Sequence, residues 1–543
     1  MRFLLIAGLA VLSGIVGITP TALAQEGDYA DVLALFKEFR AFAEGNYRGD
    51  IAGIPAAMDE KLQDLKTFQG RLADIDSSEW PVSEQVDYQL VRAEMNGLEF
   101  QLRVTRPWER NPAFYDNLTG GLGRGRRGVM PVLPMGEERI KELRKQLQSV
   151  PGYYQKVRKN LGGGDISQIP GDLVIFALHT LGERGGSPFP ALVKELTRHH
   201  PELVDVAKSA QAAVDGHIAW LGDNISQMTA SGGVGKENYN WLMKNVYLFP
   251  YTWEEIRTIV ELEDNRVITF FRLEQNRNRN LPPLDPVSSQ EEYRASALAS
   301  IERVMDFIRE DEIFTVPEWL TVDQYREGRM RATSRPWPEK HDYFFNFSHR
   351  ESLMEETHEM VGHNFDVQRQ NNDDRPIRGA REHEGPYYLA VARLEGLAFA
   401  FEELLMHAGY LDDRPQRARE VTYEQAAFRT VRGLSDVYMH SGEWSLTEAM
   451  EFAVANAPHG ELLDDSPHLW HEMHTTLVMT GWHAQMIVGK VHFMKLIRDR
   501  AQQLGDDFNL KEFMDEFYAA GVIPTSLIRW EMTGYDDEIK KLW

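Results

Sequence analysis

Two histidines five residues apart place the tightest constraint on how this chain can fold. Residues 358–363 read His358-Glu359-Met360-Val361-Gly362-His363, inside a stretch with helical character. On an ideal α-helix each residue turns about 100°, so side chains five apart point roughly 140° away from each other. Both imidazoles share a face only if one extra residue is absorbed locally. A π-bulge does that, and such bulges gather at functional sites. Gly362, just before the second histidine, lowers the steric cost of the distortion. The segment is therefore expected to be a bulged helix.

A second helical run opens about thirty residues later at Leu394-Glu395-Gly396 and continues Leu-Ala-Phe-Ala-Phe-Glu-Glu-Leu-Leu. It is apolar enough to be buried, so Glu395 needs a partner. Two imidazoles and one carboxylate, His358, His363 and Glu395, are the ligands that a catalytic zinc takes, with one position left open for water. Glu359 stands where the general base belongs. Unrelated surface histidines are the plain alternative. The chain has no cysteine, which removes thiolate ligands and cysteine nucleophiles and leaves histidine and carboxylate as the main donors. It also rules out a lipid-bearing cysteine.

Another polar stripe lies at Arg432, Asp436 and His440, spaced i, i+4, i+8 on one helix. Read as a cleft wall, it gives His440 to an oxyanion and Arg432 to a substrate carboxylate, with Asp436 orienting one of them. Read plainly, it is a solvated face with an ion pair. Gly123-Arg-Gly-Arg-Arg-Gly128 matches a dinucleotide fingerprint but neither follows a strand nor opens a helix, so it reads as a basic loop. His471-Glu472-Met-His474 has the wrong spacing for the same metal geometry and reads as surface or support. Glu355-Glu-Thr-His358 has no second copy to complete a di-iron bundle.

Net charge is −24, from 59 Lys+Arg against 83 Asp+Glu. So negative a chain is a poor partner for nucleic acid or anionic membranes. Residues 1–24 have the pattern of a secretory signal: a basic start, an apolar stretch from Phe3 to Val16, and Ala22-Leu23-Ala24 before Gln25. The expectation is a periplasmic or secreted protein with no membrane anchor after cleavage. Capping boxes are expected at Thr252…Glu255, Thr321…Gln324, Ser348…Glu351 and Ser445…Glu448. Strand signals are few; residues 342–347 (Asp-Tyr-Phe-Phe-Asn-Phe) are the best and read as an edge strand. Ser231-Gly-Gly-Val-Gly235 divides a helical N-terminal part, 25–235, from a site-bearing part, 236–543, as halves of one interleaved fold.

The motifs together resemble the bacterial domain of unknown function 885 family, presumed gluzincin-like zinc metallopeptidases. The matching stretches are Val86–Arg92, Arg106–Pro112, Tyr343-Phe-Phe-Asn346, His358-Glu359…Gly362-His363, Glu395-Gly-Leu-Ala with Glu402, Arg429…Arg432…Asp436…His440…Trp444, and Leu504–Phe513. The resemblance implies a mainly α, large helical metallopeptidase-like architecture with a small β element beside the active-site helix. It implies zinc on His358, His363 and Glu395, with Glu359 as base and Asn346 near substrate. Two departures stand out. The family's His-Glu-x-x-Pro-Gly-His-His loses its proline here and has Asn364 last; the shortened form is similar to the motif of dipeptidyl peptidase III. The family's Pro-Gly-Gln…Tyr segment becomes Thr480-Gly481-Trp482-His483-Ala-Gln485-Met486, without the tyrosine. Tyr387, Tyr388, Tyr438 and His483 are the candidates to replace it.

The expectation is thus an exported zinc metallopeptidase that hydrolyses short peptides with a Glu-activated water at the metal. A non-catalytic, metal-bearing periplasmic binding protein and a zinc hydrolase of a non-peptide bond are the alternatives. Oligomeric state stays open.

Overall fold

The computed structural model describes residues 27–45, 47, 49–117, 133–180, 189–332, 337, 341–380 and 389–542. The expected signal sequence, the basic loop at 123–128, and Tyr387 and Tyr388 lie outside these. The described chain is mainly helical. Its elements include α1 (Val82–Phe100), α2 (Trp253–Arg277), α3 (Tyr343–Arg350) and α4 (Leu353–Glu356). A π-helical segment (Thr357–Asn364) continues α4 and runs on into α5 (Phe365–Asn371). Then come α6 (Val391–His407), α7 (Ala418–Ser441), α8 (Pro467–Val478), α9 (Trp482–Leu504) and α10 (Thr525–Thr533). None of the described helices is long and apolar enough to cross a membrane.

Among the described residues there is no strand; isolated bridges include those from Pro170 to Thr229 and Ala230. The edge strand expected at 342–347 is instead the start of α3. Asp342 caps that helix by accepting the Phe345 N–H at 3.1 Å. The aromatic residues then sort with helical rather than alternating period. Tyr343, Phe344 and Phe347 pack inward, with Tyr343 and Phe344 against Phe428 at 5.3 and 5.0 Å. Phe345 turns the other way and stacks on His349, four residues on, at 3.7 Å. Two expected capping boxes form, at Thr252/Glu255 and Ser445/Glu448. Two do not. Ser348 lies in the last turn of α3 and donates back to the Phe344 carbonyl, while the helix near Thr321 begins only at Asp323.

One buried apolar cluster runs from Val32 to Leu542. The glycine-rich stretch at 231–235 is packed into it rather than hinged: Gly235 N–H donates to the His440 carbonyl at 2.9 Å, and Arg110 donates to the carbonyls of Ser231, Gly232 and Gly233. Arg378 ties the two ends together, donating to Asp87 of α1 at 2.7 Å and to Glu531 of α10 at 2.6 Å.

The centre is α6, which α9 crosses at backbone contact. A Cβ built on Gly396 would lie 2.5 Å from Gly489 Cα, and one on Gly489 would overlap the Ala392 carbonyl. No side chain fits between these helices. A buried ionic cluster reinforces the crossing: Lys490 of α9 donates to Glu263 of α2 at 2.9 Å and to Glu403 of α6 at 2.5 Å, and Arg266 bridges the same two carboxylates. Gly489→Ala is expected to cost about 1–3 kcal/mol through overpacking, read as a lower denaturant midpoint. Gly70→Ala is the control. It lies in helix Ile54–Ala73, where an added Cβ meets nothing, and should stabilise by about 1 kcal/mol.

Candidate metal centre

The π-helical turn does what a spacing of five demands. In a π-helix the backbone bonds run i→i+5, as from Phe365 N–H to the Met360 carbonyl, so the fifth residue returns above the first. His358 Nε2 and His363 Nε2 lie 3.1 Å apart. Gly362 has a different purpose from the one expected. Its backbone is not in the left-handed region. Instead, a Cβ there would sit 2.8 Å from Ala398 Cα, so the missing side chain lets the π-turn press onto α6.

That contact brings Glu395 to the histidines. Glu395 Oε2 is 3.6 Å from His358 Nε2 and 3.8 Å from His363 Nε2. Around a tetrahedral zinc with Zn–N bonds of about 2.0–2.1 Å, neighbouring ligand atoms stand about 3.3–3.4 Å apart. The triangle of 3.1, 3.6 and 3.8 Å is close to that size. Glu359, exposed on the same π-turn, has a carboxylate oxygen within 4.8 Å of the two imidazoles. Two carboxylates thus approach the pair. Glu395 closes the compact triangle from a buried helix, and Glu359 stays on the open side.

Behind the triangle, His358 Nδ1 is 2.7 Å from Glu402 Oε1, two turns along α6 from Glu395. Arg429 of α7 holds the same oxygen at 2.6 Å. A carboxylate on Nδ1 fixes the tautomer that leaves Nε2 free to ligate. Burial, and Arg429 nearby, work against a charged His358, but bonds to Glu395 and Glu402 outweigh them and hold its pKa at about 9. Burial likewise works against the Glu395 carboxylate, and His363 and His358 outweigh it, holding that pKa down to about 2.

A cavity of about 320 Å³ opens over these groups. His358, Glu359, His363 and Glu395 form its floor, with Phe347, Glu355, Arg429, Arg432, His471, Glu472, Trp482, His483 and Met486 among its walls. Of the expected stripe on α7, only Arg432 reaches it. Asp436 is fully buried and accepts the backbone N–H groups of Gly481, His483 and Ala484 at 3.1, 2.9 and 3.2 Å, so it caps α9 rather than meeting substrate. His440 lies about 12 Å along the axis from Arg432. It too is fully buried, with Nε2 3.0 Å from the Thr476 carbonyl, and burial lowers its pKa to about 4. The stripe fails because α7 runs under the cavity for only part of its length. Asn346 is half-buried and outside the cavity wall, which its neighbour Phe347 lines. Asn364 also faces elsewhere, its Oδ1 accepting from Gln368 at 2.8 Å.

Sequence reasoning undervalued Glu472 and His471, which line the cavity. Glu472 pairs with Arg432 at 2.5 Å and stands 3.4 Å from His483 Nε2. Their spacing hid them, because they approach the site from a separate helix, α8. Of the tyrosine replacements considered, Tyr438 is spent on Glu261 at 2.7 Å, and His483 reaches the cavity.

The family described as Bacterial protein of unknown function (DUF885) matches residues 52–532. The chain belongs to this family. Two solved structures share the fold seen here over 93% of this chain. One, a putative lipoprotein of unknown function from Shewanella oneidensis, is 15% identical and wholly covered, with a TM-score of 0.66. The other, a putative lipoprotein from Colwellia psychrerythraea, is 14% identical and 98% covered, with a TM-score of 0.64. At such identity the likeness concerns the fold alone. No curated protein matches the chain.

The His358 proton gives a direct check on ligation. At pH 7 the metal-free site carries it, and a metal taking Nε2 must displace it. Metal affinity should therefore rise about tenfold per pH unit up to pH 9 on this group's account and then level. Calorimetry in buffers of different ionisation enthalpy should show the released proton, and Glu402→Gln should reduce affinity about 10–100-fold.

Proposed function

We propose that this DUF885 protein is a zinc-dependent hydrolase of short peptides that works outside the cytoplasm. The observation that carries the reading is the triangle of His358 Nε2, His363 Nε2 and Glu395 Oε2, with Glu359 on its open side. The donor set fits zinc: two imidazoles and a carboxylate at tetrahedral spacing, with one position uncommitted. A divalent ion held there would supply Lewis acidity to a scissile carbonyl.

The rest falls to the chain's own groups. Glu359 takes the proton of the attacking water and passes it to the leaving amine. Glu402 and Arg429 keep the His358 ring in place and in one tautomer. The cavity of about 320 Å³ admits a short peptide and carries both signs of charge, which suits a zwitterionic short peptide. Among the described residues no tyrosine lines it. The signal-like residues 1–24 and the neighbours' description as lipoproteins support a place in the cell envelope or beyond.

Glu359→Gln is expected to retain one equivalent of zinc by elemental analysis and to lose about 10²–10⁴-fold in peptide turnover, followed by mass spectrometry of peptide mixtures. Chelation should abolish turnover in the parent protein and zinc restore it. Undiminished turnover in the variant removes Glu359 as base. A zinc-loaded parent that cleaves no peptide favours the binding-protein reading, for which Asn364 and the missing tyrosine speak.

A further inference from the structure

Arg432 projects from α7 into the same cavity as the imidazole–carboxylate triangle. Its place is fixed by apolar neighbours: the guanidinium carbon lies 5.2 Å from the Phe428 ring centre, and Nη2 meets the Met486 sulfur at 3.9 Å. A guanidinium is a planar fork of donors that suits a carboxylate gripping it with both oxygens. Here a single carboxylate oxygen, Oε2 of Glu472, meets a single nitrogen, Nη1, and Nε has no hydrogen-bond partner. Arg429, one turn away, differs: Glu402, which is buried and committed to His358, holds it.

Glu472 is the loosely seated member of the pair. It hangs from α8 at the cavity wall with 22% of its side chain exposed, and His483 Nε2 at 3.4 Å offers it a second partner. Its carboxyl stays ionised because Arg432 and His483 outweigh the cost of burial. Arg432 and the triangle line one cavity of about 320 Å³. A carboxylate on Arg432 would therefore sit a short reach from the reacting carbonyl.

We infer that Arg432 recognises the free C-terminal carboxylate of a short peptide, and that Glu472 occupies Arg432 in the free protein as an internal competitor which that carboxylate displaces. The protein is then selective for peptides with a free C-terminus and removes residues from that end. This rests on the reading of the cavity as a peptide-hydrolysing site.

Binding to the Glu359→Gln protein, which lacks the base, separates the two ideas. Calorimetry with N-acetyl-Ala-Ala free acid, with its amide, and with N-acetyl-Ala-Glu amide should show the acid bound about tenfold or more tightly than either amide. The preference should vanish when Arg432→Met is added. Glu472→Gln should strengthen binding of the acid by removing the competing charge. Equal binding of acid and amide, or binding of neither, overturns the inference, as does a preference that survives Arg432→Met. Equally tight binding of the glutamate amide shows that a side-chain carboxylate suffices and removes the C-terminal selectivity. Should Arg432→Met not fold, the acid–amide comparison and the Glu472→Gln shift decide alone. A parent protein that shows the acid preference yet cleaves nothing sinks the hydrolase reading and the removal of C-terminal residues with it, and leaves the carboxylate recognition by Arg432 standing.

Discussion

The site depends on how closely other backbones can approach α6. Positions 396 and 398 lie about 200° apart around its axis, so they face nearly opposite ways. On one side Gly396 meets Gly489 of α9, and on the other Ala398 meets Gly362 of the π-turn. Glu395 immediately precedes Gly396, and its carboxylate emerges where the π-turn delivers two imidazole nitrogens. A single methyl group at Gly362 would clash with Ala398 and press the histidines away from the Glu395 carboxylate. Close packing thus does the work of ligand placement, because a packed interior cannot absorb even one extra carbon without shifting.

Such packing draws charges inward, and on α6 each of them has a partner of opposite charge. α6 alone carries Arg393, Glu395, Glu402 and Glu403. Arg393 is paired with the fully buried Asp366 of α5. Glu402 is shared by His358 and Arg429, and Glu403 by Lys490 and Arg266. Unpaired, any of these would be costly to keep away from water. The pairs join α2, α5, α7 and α9 to α6, so the helix that presents the candidate ligand is tied to four others. Groups left at least partly exposed at the cavity, among them Glu359, His363, Arg432, His471 and Glu472, are those a substrate could meet.

Much of this was legible in the residues. The spacing of His358 and His363 required a widened turn, and the π-helix supplies it. The capping boxes at Thr252 and Ser445 are plain in the sequence and present in the structure, since they rest on contacts within four residues. The misreadings share a cause. Residues 342–347 looked like a strand because aromatic residues favour strands on average, but Asp342 and the packing of Tyr343 and Phe344 on Phe428 decide for a helix. Asp436 and His440 looked like a cleft wall because spacing along one helix shows a shared face without showing what covers it. In the fold α9 starts on Asp436, and His440 is sealed beneath α8 by the Thr476 carbonyl.

By itself the sequence determined a helical chain, the bulged turn carrying two histidines and a glutamate, and the acid residues able to complete a metal site, because periodicity and capping act over a few residues. Only the tertiary structure decided which distant groups join them. Glu395 is brought in by glycine contacts, Glu402 and Arg429 by a buried carboxylate, and Glu472 and His483 by α8 and α9 closing over the cavity. These partners stand 32 to 120 residues from His363 along the chain. Their meeting depends on which helix faces lose their water together, and no local pattern records that.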